Sequence, residues 1–526
     1  MADENSNGNY PSQSDTEILG KEDEPLIVIA SNRGPYSFKL KKKSGELVAK
    51  RGEGGLVTAL AALAEKRDVL WVASALSKGD RQWAKKQAGE PADVEGITIH
   101  MIRSPKKRYD QFYNQIANPL LWFIQHEMWD IPRTPSINGE MWKAWEKGYV
   151  EINRQFAESI AELVRKEPDE RPIIVMPQDY HLYLVPKFLR ELVGDRVQIQ
   201  PFLHIPWPGP DAWRVLPFKM RETLLESMLE ADRLGFQTDK DAFNFVQTAR
   251  FYVKGAHSKG SRNSIEYKGR KVYAMDYPIS IDVEKVSAIT EEPNTRLQKN
   301  QLMSMIGDQK LILRVDRVEP SKNILRGLEA YRDLLARYPE HRGNVQMMML
   351  LVPSRMSVSE YSNYLQDIMA QAGMINADYN QEYWEPVRIV VGSNYPRAIA
   401  AMQIANVVLV NPIADGMNLV AKESMLVNNR DAVLILSENA GAFYELGDDA
   451  LTVSPFDTYG TADALNEALT MDPAERRQRA SRLSEQIRGA DVREWFAAQV
   501  DDALKALDSQ SKNAETSSTP SVSKSA

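Results

Sequence analysis

Val407-Val-Leu-Val410-Asn411-Pro-Ile-Ala-Asp415-Gly416-Met-Asn418-Leu419-Val420-Ala-Lys-Glu423 reads as a strand, a sharp loop and the start of a helix. That order builds an anion site. The first amides of a helix have no intrahelical partner and the macrodipole is positive there, so the N–H groups near Asn418, Leu419 and Val420 could hold a diphosphate. Gly416 lets the backbone approach closely. Asp415 stands on the loop facing the same crevice, and Glu423, about a turn into the helix, could accept hydrogen bonds from the hydroxyls of a ribose. A plain strand-to-helix loop with a well-capped helix is the alternative reading.

A second stretch repeats the pattern. Leu311 to Val315 is strand-like and leads into Asp316-Arg317-Val-Glu-Pro-Ser-Lys322-Asn323, followed by the helical spacing of Ile324, Leu325, Leu328, Tyr331 and Leu335. Arg317 supplies a planar fork for phosphate oxygens and Lys322 a compact point charge, so together they could neutralise a diphosphate leaving group. Most Arg and Lys residues are solvated surface groups. The carboxyl end of a strand in an α/β pattern is where ligands usually bind, and that favours a functional reading.

These two stretches resemble the trehalose-6-phosphate synthase family of retaining glycosyltransferases, together with its validoxylamine phosphate synthase branch. Further matches follow in the family's order: Ser31-Asn32-Arg33, Gly54-Gly55-Leu56, Tyr113-Asn114 with Asn118 and Trp122, Asp179-Tyr180-His181-Leu182, His204-Ile205-Pro206, Leu234 to Thr238, Arg355, and Glu438 to Ala442. The resemblance implies an α/β chain of the GT-B fold, with two doubly wound Rossmann-like domains facing across a crevice. It implies transfer of glucose from a nucleoside diphosphate glucose, UDP-glucose foremost, to glucose 6-phosphate. Position by position, it puts Arg317 and Lys322 on the diphosphate, Glu423 on the ribose, Asp415 on the donor sugar and His204 beside donor and acceptor. Gly54 and Gly55 would close over the diphosphate. Arg33, Tyr113, Trp122 and Arg355 would hold a phosphorylated acceptor, and Asp179 its hydroxyls. Tyr113 and Trp122 could equally be core residues. The resemblance also implies front-face attack, with the leaving phosphate taking the acceptor proton, so no carboxylate nucleophile is required.

One departure concerns the acceptor. Where the synthases read Trp-Phe-Gly-Trp, this chain has Trp71-Val72-Ala73-Ser74. The lost tryptophan is an acceptor-site residue, so a cyclitol or glycerol phosphate stands as an alternative acceptor. A catalytically silent homologue is a further alternative, since fold alone does not imply activity.

Composition agrees with two globular domains. The chain has 526 residues, 43% hydrophobic and 26% charged, with a net charge of −7 and no cysteine. That leaves no footprint for nucleic acid, no disulfide or thiolate metal site and no spanning helix. The polar N-terminus is unlike a signal peptide, so a cytoplasmic location is expected. Six scattered histidines form no ligand cluster, His126-Glu127 lacks a zincin partner, and no metal or cofactor is expected. Gly52-x-Gly54-Gly55-x-Val57 breaks the dinucleotide fingerprint, which disfavours an oxidoreductase. A homo-oligomer is left open. Strands are expected at Leu26–Ala30, Ile173–Met176, Val197–Leu203, Tyr277–Ile281, Leu311–Val315, Val345–Val352, Arg388–Val391, Val407–Val410 and Ala432–Leu436. The expected division is a tail at 1–24, an acceptor-side domain at 25–290, a donor domain at 291–485, a helix at 486–508 crossing back, and a tail at 509–526.

Overall fold

The computed structural model describes residues 24–41, 45–52, 67–258, 260–356 and 358–517, with side chains as far as 507. Its strands are β1 (Leu26–Ser31), β2 (Tyr36–Leu40), β3 (Leu47–Arg51), β4 (Val69–Ser74), β5 (Ala92–Val94), β6 (Ile97–Ile102), β7 (Ile173–Pro177), β8 (Gln198–Ile199), β9 (Arg233–Phe236), β10 (Ser264–Tyr267), β11 (Arg270–Asp276), β12 (Lys310–Arg317), β13 (Val345–Val352), β14 (Val387–Val391), β15 (Val407–Val410), β16 (Val433–Ser437) and β17 (Leu451–Val453).

The apolar runs β1, β4, β7, β15 and β16 are buried along their whole length, as parallel strands covered by helices on both faces must be. They form two six-stranded sheets, ordered β5-β6-β4-β1-β7-β8 and β14-β13-β12-β15-β16-β17. The second is parallel throughout; in the first only β5 runs antiparallel. Strand order reverses between β1 and β7 in one sheet and between β12 and β15 in the other. At such reversals the flanking loops diverge and open a crevice at the carboxyl ends of the strands.

Two expected strands are cut short. Val197–Leu203 keeps a regular ladder only at Gln198–Ile199, because Pro201 has no N–H to donate; Phe202 returns as a single bridge to Gln178 and Gly235. Tyr277–Ile281 is not a strand. The ladder ends at Asp276, and Pro278 cannot extend it. The segment is instead pinned by side chains, with the Ile279 amide donating to Gln237 Oε1 and Lys422 Nζ donating to the Ile279 carbonyl.

Helix Val283–Thr290 already packs against helices of the second half, and Pro293–Ile306 lies along Tyr395–Ile404. The last helix, Val492–Ser517, returns to the first half. Trp495 Nε1 donates to the Tyr277 carbonyl, Gln200 donates to the Gln499 carbonyl, and Trp495, Phe496, Val500 and Ala503 join one apolar cluster with Ile27, Phe202 and Leu434. The helix runs past residue 509, where composition favours a tail. No proline or glycine interrupts it before Ser517, so its backbone ladder continues beyond the packed part.

Candidate functional site

The two loops that follow β12 and β15 are stitched into one surface. Arg314, buried on β12, donates to Asp316 and to Asn411 Oδ1. Asn323 donates to the Asn411 and Pro455 carbonyls, and the Ile413 amide donates to the Ser321 carbonyl. This brings Lys322 to Asp415, with Nζ 2.5 Å from Oδ2, and Asn418 Nδ2 donates to the same oxygen at 2.9 Å. Burial works against the Asp415 charge, but the Lys322 cation and the Asn418 amide outweigh it and hold the carboxyl below its ordinary range.

Asn418 has φ +78°, a left-handed conformation that asparagine tolerates well, and its side chain caps the Ala421 amide. The helix therefore starts at Leu419, and its first amides open at the N-terminus beside Asp415. Glu423 lies one turn on and accepts from the Tyr395 hydroxyl at 2.9 Å. Burial pushes its carboxyl up to about 7, with the tyrosine opposing.

Gly416 has a different role from the expected close approach to a ligand. A β-carbon there would lie 2.0 Å from the His204 carbonyl oxygen, so its bareness lets the loop after β15 seat against the His204 segment of the first half. Gly441 is crowded in the same way by the Gly416 carbonyl, and the Gly441 and Ala442 amides donate to Asp415 and Met417. The Glu438 to Ala442 stretch thus braces the donor loop.

On the opposite wall, Arg33 is exposed just past β1. Asp179, just past β7, has φ +70° and accepts the His204 amide at 3.3 Å. Burial raises its carboxyl to about 6, opposed by the Tyr180 and His204 amides and by Arg355 and Arg317. Half-buried His204 bonds to Gln178 through Nε2 at 3.0 Å, and the desolvation of its ring pushes it down to about 3, so it is neutral at pH 7. Its loop is anchored where the Trp207 amide donates to Asp241, whose carboxylate also accepts from the hydroxyl of the N-cap Thr238. Tyr113 lies on a π-helical segment, Gln111–Leu121, and stacks on His181 at 5.7 Å.

Arg355 joins the walls. It donates to Glu319 and the Tyr361 hydroxyl at 2.9 Å and to the Tyr180 hydroxyl at 3.2 Å, and it lies 5.1 Å from the Trp122 ring. Trp122 is only 2% exposed and stacks on His126 at 3.9 Å, so it supports Arg355 from the core side. Arg317 is 54% exposed at its side chain and also pairs with Glu319 at 2.9 Å. Ser74 is buried at the end of β4. Gly54 and Gly55 lie outside the described residues.

The sequence alone assigned no site role to Glu319, His126, Tyr180, Tyr361 or Tyr395. Glu319 left a signal, as the one carboxylate between Arg317 and Lys322 in the quoted loop. Tyr180 and Tyr395 left no sign of their roles, because their partners Arg355 and Glu423 are remote in sequence, whereas Tyr361 stands only six residues from Arg355. Among the described residues no group of three His, Asp or Glu is placed to hold a metal, and no helix is long and apolar enough to cross a membrane.

The constellation has relatives. A model of glycosyltransferase family 20 matches residues 25–505. A trehalose-6-phosphate synthase of Mycolicibacterium vanbaalenii is 32% identical over 485 residues, covering 90% of this chain and 95% of its own. A bifunctional trehalose-6-phosphate synthase/phosphatase of Thermoproteus tenax is 30% identical over 484 residues; the match covers 89% of this chain and 62% of that longer protein. The solved E. coli trehalose-6-phosphate structure bound with UDP-2-fluoro glucose superposes with a TM-score of 0.79 at 28% identity, covering 91% of this chain and 98% of its own. A UDP-forming synthase of Burkholderia xenovorans in complex with glucose-6-phosphate superposes at 0.77 with 26% identity, covering 91% and 99%.

Proposed function

This chain belongs to glycosyltransferase family 20, has the GT-B fold and is a hexosyltransferase of the trehalose-phosphate synthase type, and on that premise we propose that it moves glucose from UDP-glucose to glucose 6-phosphate with retention, giving trehalose 6-phosphate and UDP. The observation that carries the reading is the meeting of the two switch-point loops: Lys322, Asp415 and the Leu419 helix N-terminus on one wall, Asp179 and His204 on the other, with Arg355 spanning them.

Breaking the anomeric bond builds negative charge on the diphosphate and positive charge on the ring. Arg317, Lys322 and the first amides of the helix meet the former in a site that needs no reorganisation as charge develops. Asp415 and neutral His204 face the donor sugar, and Glu423 takes the ribose hydroxyls. Arg33 and Arg355 grip the acceptor phosphate with Tyr113 beside it, Asp179 takes the acceptor's hydroxyls, and Trp122 backs Arg355. The leaving phosphate accepts the proton of the attacking hydroxyl, so no side-chain nucleophile takes part.

We assign residues 25–290 to the acceptor domain, 291–485 to the donor domain and 486–508 to a crossing helix, and we expect the enzyme in the cytoplasm. The test is a panel of nucleotide sugars against phosphorylated acceptors, with and without a chelator. UDP-glucose with glucose 6-phosphate should give trehalose 6-phosphate at an unchanged rate after chelation. Binding of UDP without transfer to any acceptor would mark a silent homologue and end the proposal. Ser74, small where the family has tryptophan, favours a second acceptor reading. A phosphorylated cyclitol and glycerol phosphate therefore belong in the panel, and preference for either would replace glucose 6-phosphate.

A further inference from the structure

Glu319 is a fully buried carboxylate on the loop after β12, between Arg317 and Lys322, and it also contacts Arg355. One of its oxygens, Oε1, accepts hydrogen bonds from Arg355 and from the Ser354 hydroxyl, each at 2.9 Å, and forms an ion pair with Arg317 at 2.9 Å. The other, Oε2, is buried and has no partner among the described residues. Two hydrogen-bond donors and a second guanidinium thus gather on one oxygen while its twin has no partner among the described residues. That is a poor arrangement for a purely structural ion pair, where both oxygens would normally be satisfied.

Arg355 is held in an unusual state by the same contact. Its backbone has φ +47°, and its Nε is buried without a partner. Its guanidinium therefore keeps unused donor capacity while Glu319, Tyr361 and Tyr180 fix its plane.

We infer that Glu319 is a positioning residue for the transfer reaction: through one shared oxygen it orients Arg317 toward the donor diphosphate and Arg355 toward the acceptor phosphate, and transmits the state of one arginine to the other. The inference rests on the proposed donor and acceptor sides of this site. Its physical basis is that a buried carboxylate must be balanced by cations. With Arg355 removed, Glu319 is left to Arg317 alone and draws that guanidinium away from the diphosphate. Donor binding then weakens, although Arg355 is not a donor ligand.

The experiment is calorimetric titration of UDP into the parent, Arg355→Ala, Glu319→Gln and the double variant, with Glu319→Asp as the charge-conserving control. Arg355→Ala should weaken UDP binding by about fivefold or more in the parent background, a coupling typical of residues in one salt-bridge network, and by less than about twofold once Glu319 is Gln. Arg355→Ala should again weaken UDP binding when combined with Glu319→Asp, because the charge remains. An unchanged UDP affinity in Arg355→Ala overturns the inference, as does an equal loss in both backgrounds, which would mean simple long-range charge or a structural role. If Glu319→Gln does not fold, the Arg355→Ala measurement and the Glu319→Asp background still decide. UDP failing to bind the parent would remove the donor assignment, and the inference with it; UDP bound by the parent with Arg355→Ala inert removes the inference alone.

Discussion

Lys322 and Asp415 form a mostly buried pair, and each is needed to make the other tolerable. Lys322→Ala should lower the turnover number by about 10²–10³, the usual cost of losing one stabilising donor at developing charge. It should also lower the melting temperature, because Asp415 keeps only Asn418. Arg317 is exposed and Glu319 keeps Arg355, so Arg317→Ala should give a similar rate loss with a smaller fall in melting temperature than Lys322→Ala. Near-parent turnover in both variants would remove them from the chemistry. Glu423 supplies a test by pH. Its carboxyl is raised from 4.5 to about 7 by burial, so the folded state holds a proton that the unfolded chain gives up. The stability it contributes is full below about pH 4.5 and is lost as pH rises through about 7. In Glu423→Gln that part of the decline in melting temperature should vanish. UDP binding should tighten from pH 6 to pH 8 in the parent, as the ionised carboxylate becomes available to ribose hydroxyls, and stay flat in the variant. Parallel profiles for the two proteins would refute this.

At the scale of elements, the donor loop depends on a steric fit. Gly416→Ala places a β-carbon against backbone, and backbone cannot swing aside as a flexible side chain can. The loop and the His204 segment must then part, so turnover should fall by at least about tenfold, since misplacement by an ångström costs about 10². The isolated donor half of the site should suffer less, and UDP affinity should change by less than turnover does. Parent-like turnover would show that the contact is dispensable. The strands that frame this loop were legible because parallel strands buried on both faces give unbroken apolar runs: Val345–Val352 and Val407–Val410 keep their expected bounds. Val197–Leu203 and Tyr277–Ile281 misled for one reason. Each is apolar but holds a proline that removes a ladder donor; around Ile279 the side chains of Gln237 and Lys422 satisfy the backbone instead, whereas Gln200 and Phe202 still donate to the Val175 and Pro177 carbonyls outside a regular ladder. The loops bearing Arg317, Lys322 and Asp415 were equally legible, since a cation or carboxylate at the carboxyl end of a strand is visible in one line of sequence. The contact of Gly416 with His204 was not, because the two are joined only by tertiary packing.

At the scale of the molecule, the last helix ties the halves together and reaches the site. Trp495 is buried, donates to the Tyr277 carbonyl, packs edge-on to Phe202 at 5.0 Å and lies 5.9 Å from the His204 ring. Asp502, further along the helix, accepts from the Tyr277 hydroxyl and pairs with Arg233. Removing the indole therefore opens a cavity where the crossing helix meets the first domain and also frees one side of His204. Trp495→Ala should destabilise the fold by about 3–5 kcal/mol, the range for deleting a buried large aromatic. Its effect on catalysis should exceed what unfolding alone explains. Assayed well below its melting temperature, the variant should lose turnover while UDP affinity, set by the loops after β12 and β15, stays near that of the parent. Trp495→Phe restores most of the ring contacts but not the hydrogen bond, so it should recover most of the turnover and only part of the stability. If turnover in Trp495→Ala simply tracks the folded fraction, the helix is a clasp and has no part in holding His204. A turnover loss in fully folded protein would make the crossing helix a support of the active site, contributed by the far end of the chain.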